Sequence, residues 1–156
     1  VFVNKSNLNK FNKIYQESKK NFPIFISHSL GNIFHMVEKN HMIIMCLMIN
    51  EIFVSYYIFK NPYTTYNGVN SLEVCSSYKG ETIANNLFVL GFMISMSLVS
   101  KDLESQIILV ENLANNDIII NLLLQKYTYF AKTINSLYLY NYASYPKYSN
   151  DIMCIM

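Results

Sequence analysis

Ser71-Leu-Glu-Val-Cys-Ser-Ser-Tyr-Lys-Gly-Glu-Thr-Ile-Ala-Asn-Asn-Leu87 is the stretch around which the chain is organised. Leu72 and Val74 alternate with polar neighbours, as at the end of a β-strand. A bend of small residues follows, at one of the four glycines in the protein, Gly80. From Thr82 the period changes: Ile83, Leu87, Leu90, Ile94 and Leu98 recur at three- and four-residue steps, as along one helix face. A strand, a tight turn and a helix start aim several backbone N–H groups and the positive end of a helix dipole at one spot. That spot suits a phosphate.

The same stretch resembles motif A of the GNAT superfamily of N-acetyltransferases. There, a strand ending in Leu-x-Val leads through Tyr-Arg-Gly-x-Gly-Ile-Gly/Ala into a helix, and the loop holds the pyrophosphate of acetyl-CoA. Here the counterpart is Leu72-x-Val74 and then Tyr78-Lys79-Gly80-Glu81-Thr82-Ile83-Ala84. Lys79 stands where Arg or Gln is usual, keeping the charge but not the planar fork. Thr82 stands where the superfamily has Gly, which places a β-branched side chain beside the expected ligand. The resemblance implies that Leu72, Val74, Lys79, Gly80, Glu81, Thr82, Ile83 and Ala84 form the cofactor loop.

The chain has 156 residues, 52% of them hydrophobic and 14% charged, which favours a single domain over residues 1–156 with one ample core. All 12 basic residues are lysines. With abundant Asn, Ile and Tyr, this reads as a bias towards A/T-rich codons, so Lys79 in place of Arg reflects the genome as much as the chemistry. A net charge of +2 on scattered lysines is no nucleic-acid footprint. Cys46, Cys75 and Cys154 form no CxxC pair and no zinc spacing, and read as buried thiols of a reducing, cytoplasmic compartment. His28, His35 and His41 suit no metal site, so no metal is expected. Val1 to Phe11 is polar after its first three residues, unlike a signal peptide. Leu87 to Val99 reads as a buried helix, shorter than the ~20 residues of a membrane span.

Along the chain, Val1–Val3 reads as a first short strand. Helices follow over the Leu8, Phe11, Ile14, Tyr15 face and from Ser27 or Ser29 through Val37. Met42–Ile49 and Ile52–Phe59 form a hairpin about Asn50-Glu51, and Tyr66–Cys75 is the next strand. After the helix to about Ser100, Gln106–Val110 reads as a buried strand. Asn115-Asn116-Asp117 caps a helix to about Lys126, and two strands over Tyr127–Leu139 and Asp151–Met156 close the chain. The order is strand, two helices, three strands, helix, strand, helix, two strands. It is also the GNAT order, which implies an α/β (α+β) fold. The expected sheet is a central mixed, mostly antiparallel one of six to seven strands, flanked by about four helices and splayed between its fourth and fifth strands.

Two further segments carry the resemblance. Ile108–Phe130 is similar to motif B, where an Asn opens a helix that ends in Leu-Tyr-Glu-Lys-x-Gly-Phe; Asn116 takes the place of that Asn and joins the cofactor set. Tyr145-Pro146 through Asp151-Ile152-Met153 looks like the closing loop and strand of the ribosomal-protein and other protein N-terminal acetyltransferases. The implied activity is acetyl transfer from acetyl-CoA to a primary amine, with a protein or peptide as acceptor. Such a reaction needs a polarised carbonyl, a base and an acid, although positioning alone supplies much of the rate. Glu111, at the end of the strand before motif B, is the first candidate for the base. Glu73 is the second, facing away from Leu72 and Val74. The motif B Tyr falls on Leu123 or Leu124, neither of which donates a proton, so Tyr127 or a tyrosine of residues 138–148 is left as the acid. The alternative is a degenerate GNAT-fold protein that acts as a non-catalytic interaction or CoA-binding module.

Overall fold

A computed structural model describes residues 1–20, 24–26, 29–60, 65–66, 69–103, 107–110, 116–126 and 152–154. The helices are α1 (Leu8–Ser18), α2 (Leu30–Glu38), α3 (Asn85–Leu103) and α4 (Asp117–Lys126). The strands are β1 (Ile24–Ile26), β2 (Met42–Ile49), β3 (Ile52–Lys60), β4 (Thr65–Tyr66), β5 (Val69–Lys79), β6 (Ile107–Val110) and β7 (Ile152–Cys154). The fold is mixed α/β.

The antiparallel heart of the sheet is β2–β3–β5. Its hairpin turns at Asn50 and Glu51, both with positive φ (49° and 65°), as a two-residue turn that matches strand twist requires. β4 pairs with the start of β5, and β6 lies parallel to β5 from Ser71↔Ile107 to Val74↔Val110. The expected single sheet of six to seven strands is corrected here. The described strands divide into this five-stranded sheet and a parallel β1–β7 pair, Ile24↔Ile152 to Ile26↔Cys154. The strand expected over Tyr127–Leu139 lies outside the described residues.

Alternation along β2, β3 and β5 gives the sheet two apolar faces. One packs Phe11, Ile14 and Tyr15 of α1 and Ile33 of α2 against Ile44, Tyr56 and Ile58. The other packs Phe88, Phe92, Met96 and Val99 of α3 against Tyr57, Phe59, Leu72 and Val74. Two expectations change. Val1–Val3 is tied to β2 only by a bridge at Phe2↔Met45 and the bonds around it. On α3 the buried face is the aromatic one, while Leu87, Leu90, Ile94 and Leu98 stand exposed. Phenylalanine rings bury more area than leucines and win the core when a helix is apolar on both sides.

Candidate acetyl-donor site

The strand–turn–helix junction lies where the sequence puts it. β5 continues to Lys79, paired with Ser55 of β3. The next N–H, that of Gly80, donates to the Val54 carbonyl at 3.0 Å. A Cβ at Gly80 would sit 2.3 Å from that same oxygen. Glycine is therefore required here by the close approach of two backbones. Ile83 N–H donates to the Gly80 carbonyl at 3.2 Å and Phe88 N–H to the Ala84 carbonyl at 3.1 Å, closing the turn and opening α3. Glu81, Thr82 and Ala84 form an exposed rim. The N–H groups of Glu81, Thr82, Ala84, Asn85 and Asn86 meet no protein acceptor among the described residues, as expected of a first helical turn. Lys79 Nζ reaches back to donate to the Ile83 carbonyl at 2.7 Å and lies 3.5 Å from that of Gly80. Its charge is thereby held inside the loop.

β5 runs on beside β3 to Lys79, beyond Val74, which pairs with Val110 at the end of β6. Beyond Val74 the strand meets Asn116, at the start of α4. Asn116 Nδ2 donates to the Cys75 carbonyl at 3.2 Å, and its Oδ1 accepts from Ser77 Oγ at 2.8 Å. All three residues are buried. The side-chain amide thus ties the start of α4 to the backbone of β5. The sequence singled out Asn116 through motif B but not Ser77, whose partner lies 39 positions away.

From the same junction a cleft of about 270 Å³ opens between α3 and α4. It is lined by Asn85, Val89, Ile118, Asn121, Leu122 and Gln125. Three carboxamides over an apolar floor can hydrogen-bond a planar heteroaromatic ring and stack it. None of these six was singled out as a site residue from the sequence. Amides on a helix carry no local signal until two helices are set side by side.

Neither a family sequence profile nor a curated protein sequence matches the chain. Solved structures do. A ribosomal-protein-alanine N-acetyltransferase from Brucella melitensis biovar Abortus 2308 superposes with TM-score 0.68 at 8% identity, over 90% of this chain and 98% of that one. The aminoglycoside N-acetyltransferase AAC(6')-Iy, solved with a bisubstrate analogue joining CoA to an acetylated neamine, gives TM-score 0.69 at 8% identity, over 89% and 96%. An aminoglycoside acetyltransferase from an uncultured soil metagenomic sample gives 0.62 at 12%, over 90% and 95%. This chain has the GNAT fold.

Within that GNAT frame the expected site residues separate into three groups. Leu72, Val74 and Ile83 are core side chains and can meet a ligand only through their backbone. Lys79, Gly80, Glu81, Thr82 and Ala84 make the turn itself. Glu73 lies opposite Leu109 and Lys60, and pairs with Lys60 Nζ at 3.6 Å. Leu72 and Val74 pack towards α3, so Glu73 faces the α1–α2 side, as alternation predicts. Glu111, and the tyrosines weighed as the acid, lie outside the described residues. On the α1 side of the GNAT junction, Tyr78 Oη donates to Glu17 Oε1 at 3.2 Å. Burial, with Glu17 and then Glu81 nearby, pushes the Tyr78 phenol up to about 12. Among the described residues no cluster could hold a metal ion, and no helix is long and apolar enough to cross a membrane.

Proposed function

We propose that the chain is an N-acetyltransferase that takes its acetyl group from acetyl-CoA and delivers it to a primary amine on a protein or peptide. One observation carries this reading. Two features meet at Lys79–Asn85: the N–H rim of the loop and the α3–α4 cleft that begins at Asn85. The residues fit CoA. N–H donors at a helix start and the positive charge of Lys79 suit a pyrophosphate, and the amide-lined cleft suits an adenine. CoA supplies an acetyl thioester when bound. Backbone groups of β5 near Val74 would orient the carbonyl, and a carboxylate oxygen of Glu111 or Glu73 would accept the proton of the attacking amine as the amide C–N bond forms and the thioester C–S bond breaks, with Tyr127 or a tyrosine of residues 138–148 returning a proton to the departing thiolate. The solved neighbours act on a ribosomal-protein alanine and on aminoglycosides, all amine acceptors. The closing Tyr145-Pro146 pattern favours the protein or peptide class. Buried thiols at Cys46 and Cys75 fit a reducing, cytoplasmic setting.

One observation favours a second reading, a GNAT-fold module that does not turn over. The Lys79 ammonium is already engaged by the Ile83 carbonyl at 2.7 Å, so an incoming phosphate competes with the protein for it.

Isothermal titration with acetyl-CoA, comparing the parent chain with Thr82→Asp, tests the site. Thr82 is exposed beside the start of α3. A carboxylate there stabilises the helix by about 0.3–1 kcal/mol while repelling a pyrophosphate. The expected result is micromolar binding to the parent, weakened about tenfold or more in the variant, with an unchanged or higher melting temperature. Binding that ignores Thr82→Asp would overturn the loop assignment. No binding at millimolar acetyl-CoA would favour the second reading.

A further inference from the structure

The sequence put Asn116 among the cofactor contacts, but its side chain is fully buried, together with Ser77 and Cys75. Its amide is engaged at both ends on one strand. Nδ2 donates to the Cys75 carbonyl at 3.2 Å, and Oδ1 accepts from Ser77 Oγ at 2.8 Å. A planar amide held at two points is fixed in orientation as well as in position, where a single bond would let it swing.

What Asn116 carries is α4, which starts at the next residue and runs from Asp117 to Lys126. A helix of 10 residues has little stability of its own and depends on what holds it to the rest of the fold. Among its described side chains only Ile119 is fully buried, with Ile118 and Leu122 packed in part against the α3-side core. Ile118, Asn121, Leu122 and Gln125 follow the spacing of one helix face. They form one wall of the cleft, and Asn85 and Val89 of α3 form the other. The α3 wall is anchored by Phe88, Phe92, Met96 and Val99. The width of the cleft and the aim of its amides therefore follow the seating of α4. Gln125 lies about 12 Å along the helix axis from Asp117, so a tilt of about 5° at the first turn moves it by about 1 Å. Such a shift is enough to spoil a hydrogen bond.

We propose that Ser77 is a positioning residue for the nucleotide end of the acetyl donor. By holding the Asn116 amide it seats the start of α4 on β5, and so sets the α3–α4 cleft to the base. The proposal rests on the reading of this site as one for acetyl-CoA. Neither Ser77 nor Asn116 touches the ligand; the amides of Asn85, Asn121 and Gln125 do.

The test titrates the parent chain, Ser77→Ala, Asn116→Ala and the double variant with two probes. One is acetyl-CoA. The other is adenosine 3′,5′-bisphosphate, which keeps the base, ribose and 5′-phosphate of CoA but lacks its thiol-bearing arm. Urea unfolding first fixes conditions in which every variant is folded, because lost stability alone leaves the affinity of the folded chain unchanged. Ser77→Ala is expected to weaken both probes alike, by about tenfold. Asn116→Ala is expected to do the same, and the double variant to lose no more than the worse single one, since the two residues act as a unit. Parental affinity in Ser77→Ala overturns the proposal, and so do losses that add. An Asn116→Ala chain that binds acetyl-CoA less well but the bisphosphate normally also overturns it, since that is the mark of a direct contact with the arm. A parent that binds acetyl-CoA and not the bisphosphate sinks this proposal alone. A parent that binds neither removes the acetyl-CoA reading, and this proposal with it.

Discussion

On the α1 side of the sheet, the hydroxyl of Tyr56 donates to Ser18 Oγ at 2.8 Å, and Ser18 Oγ donates to the Tyr15 carbonyl, also at 2.8 Å. Ser76 bonds the same phenol. One residue on, on the α3 side, the hydroxyl of Tyr57 donates to the Phe88 carbonyl at 2.6 Å. All of these side chains are buried. The two tyrosines are neighbours in sequence, yet their hydroxyls do different work. Tyr56 links two buried serines on different elements. Tyr57 adds a second donor to a helical carbonyl that the helix ladder already serves. The α1 side is held by polar groups that depend on one another, and the α3 side by close packing.

On the α3 side the packing is tight at Gly91, where a Cβ would lie 2.6 Å from the Tyr57 hydroxyl and 3.4 Å from its ring carbon. Gly91→Ala is therefore expected to give the largest effect in this comparison, up to about 3 kcal/mol of lost stability from overpacking. In a Tyr57→Phe background the offending oxygen is gone. The same substitution should then turn neutral or favourable, since Ala exceeds Gly by about 1 kcal/mol inside a helix. Urea unfolding of the four proteins of this cycle measures the coupling. Additive losses would mean that α3 is not fixed by Tyr57.

Tyr56→Phe comes next. It removes the phenol's bonds to Ser18 and Ser76 inside the α1-side core, at a cost of about 1–2 kcal/mol. Tyr57→Phe leaves the Phe88 carbonyl bonded and should cost less than about 1 kcal/mol. Equal losses would erase the distinction between the two sides.

The sequence foretold this arrangement unevenly. The β2–β3 hairpin was legible residue by residue, because alternation and the Asn50-Glu51 turn are local. The loop from Lys79 to Ala84 and the Asn116 helix start were legible too, since a change of period marks each. The buried face of α3 was not. Leu87, Leu90, Ile94 and Leu98 keep as good a helical period as Phe88, Phe92, Met96 and Val99, and only contact with Tyr57 and Phe59 decides between them. The reason for Gly80 was equally hidden, because the Val54 carbonyl that excludes a side chain belongs to a different strand. Asn116 with Ser77, and β1 with β7, likewise join residues too far apart in sequence to announce one another.

The smallest effect expected is a shift in the alkaline titration of one tyrosine on the α1 side. Cys46 and Tyr78 both belong to the α1-side core. Burial pushes the Cys46 thiol from 9.0 up to about 12. The Tyr78 phenol rises from 10.0 to about 12, through burial first and then the Glu17 carboxylate. Both groups are neutral when protonated, and the folded chain holds their protons more tightly than the unfolded chain does. Their contribution is complete below about pH 9, where the unfolded groups are still protonated, and is lost as pH climbs through about 12. Removing the Glu17 charge with Glu17→Gln takes away one cause of the Tyr78 shift. In tyrosine labelled at Cζ, the Tyr78 signal should then titrate at lower pH than in the parent. The ionisation of Tyr57, on the far side of the sheet, should not move. A shift shared by both tyrosines would mean that the substitution loosens the sheet as a whole, and the division of labour between its faces would not hold.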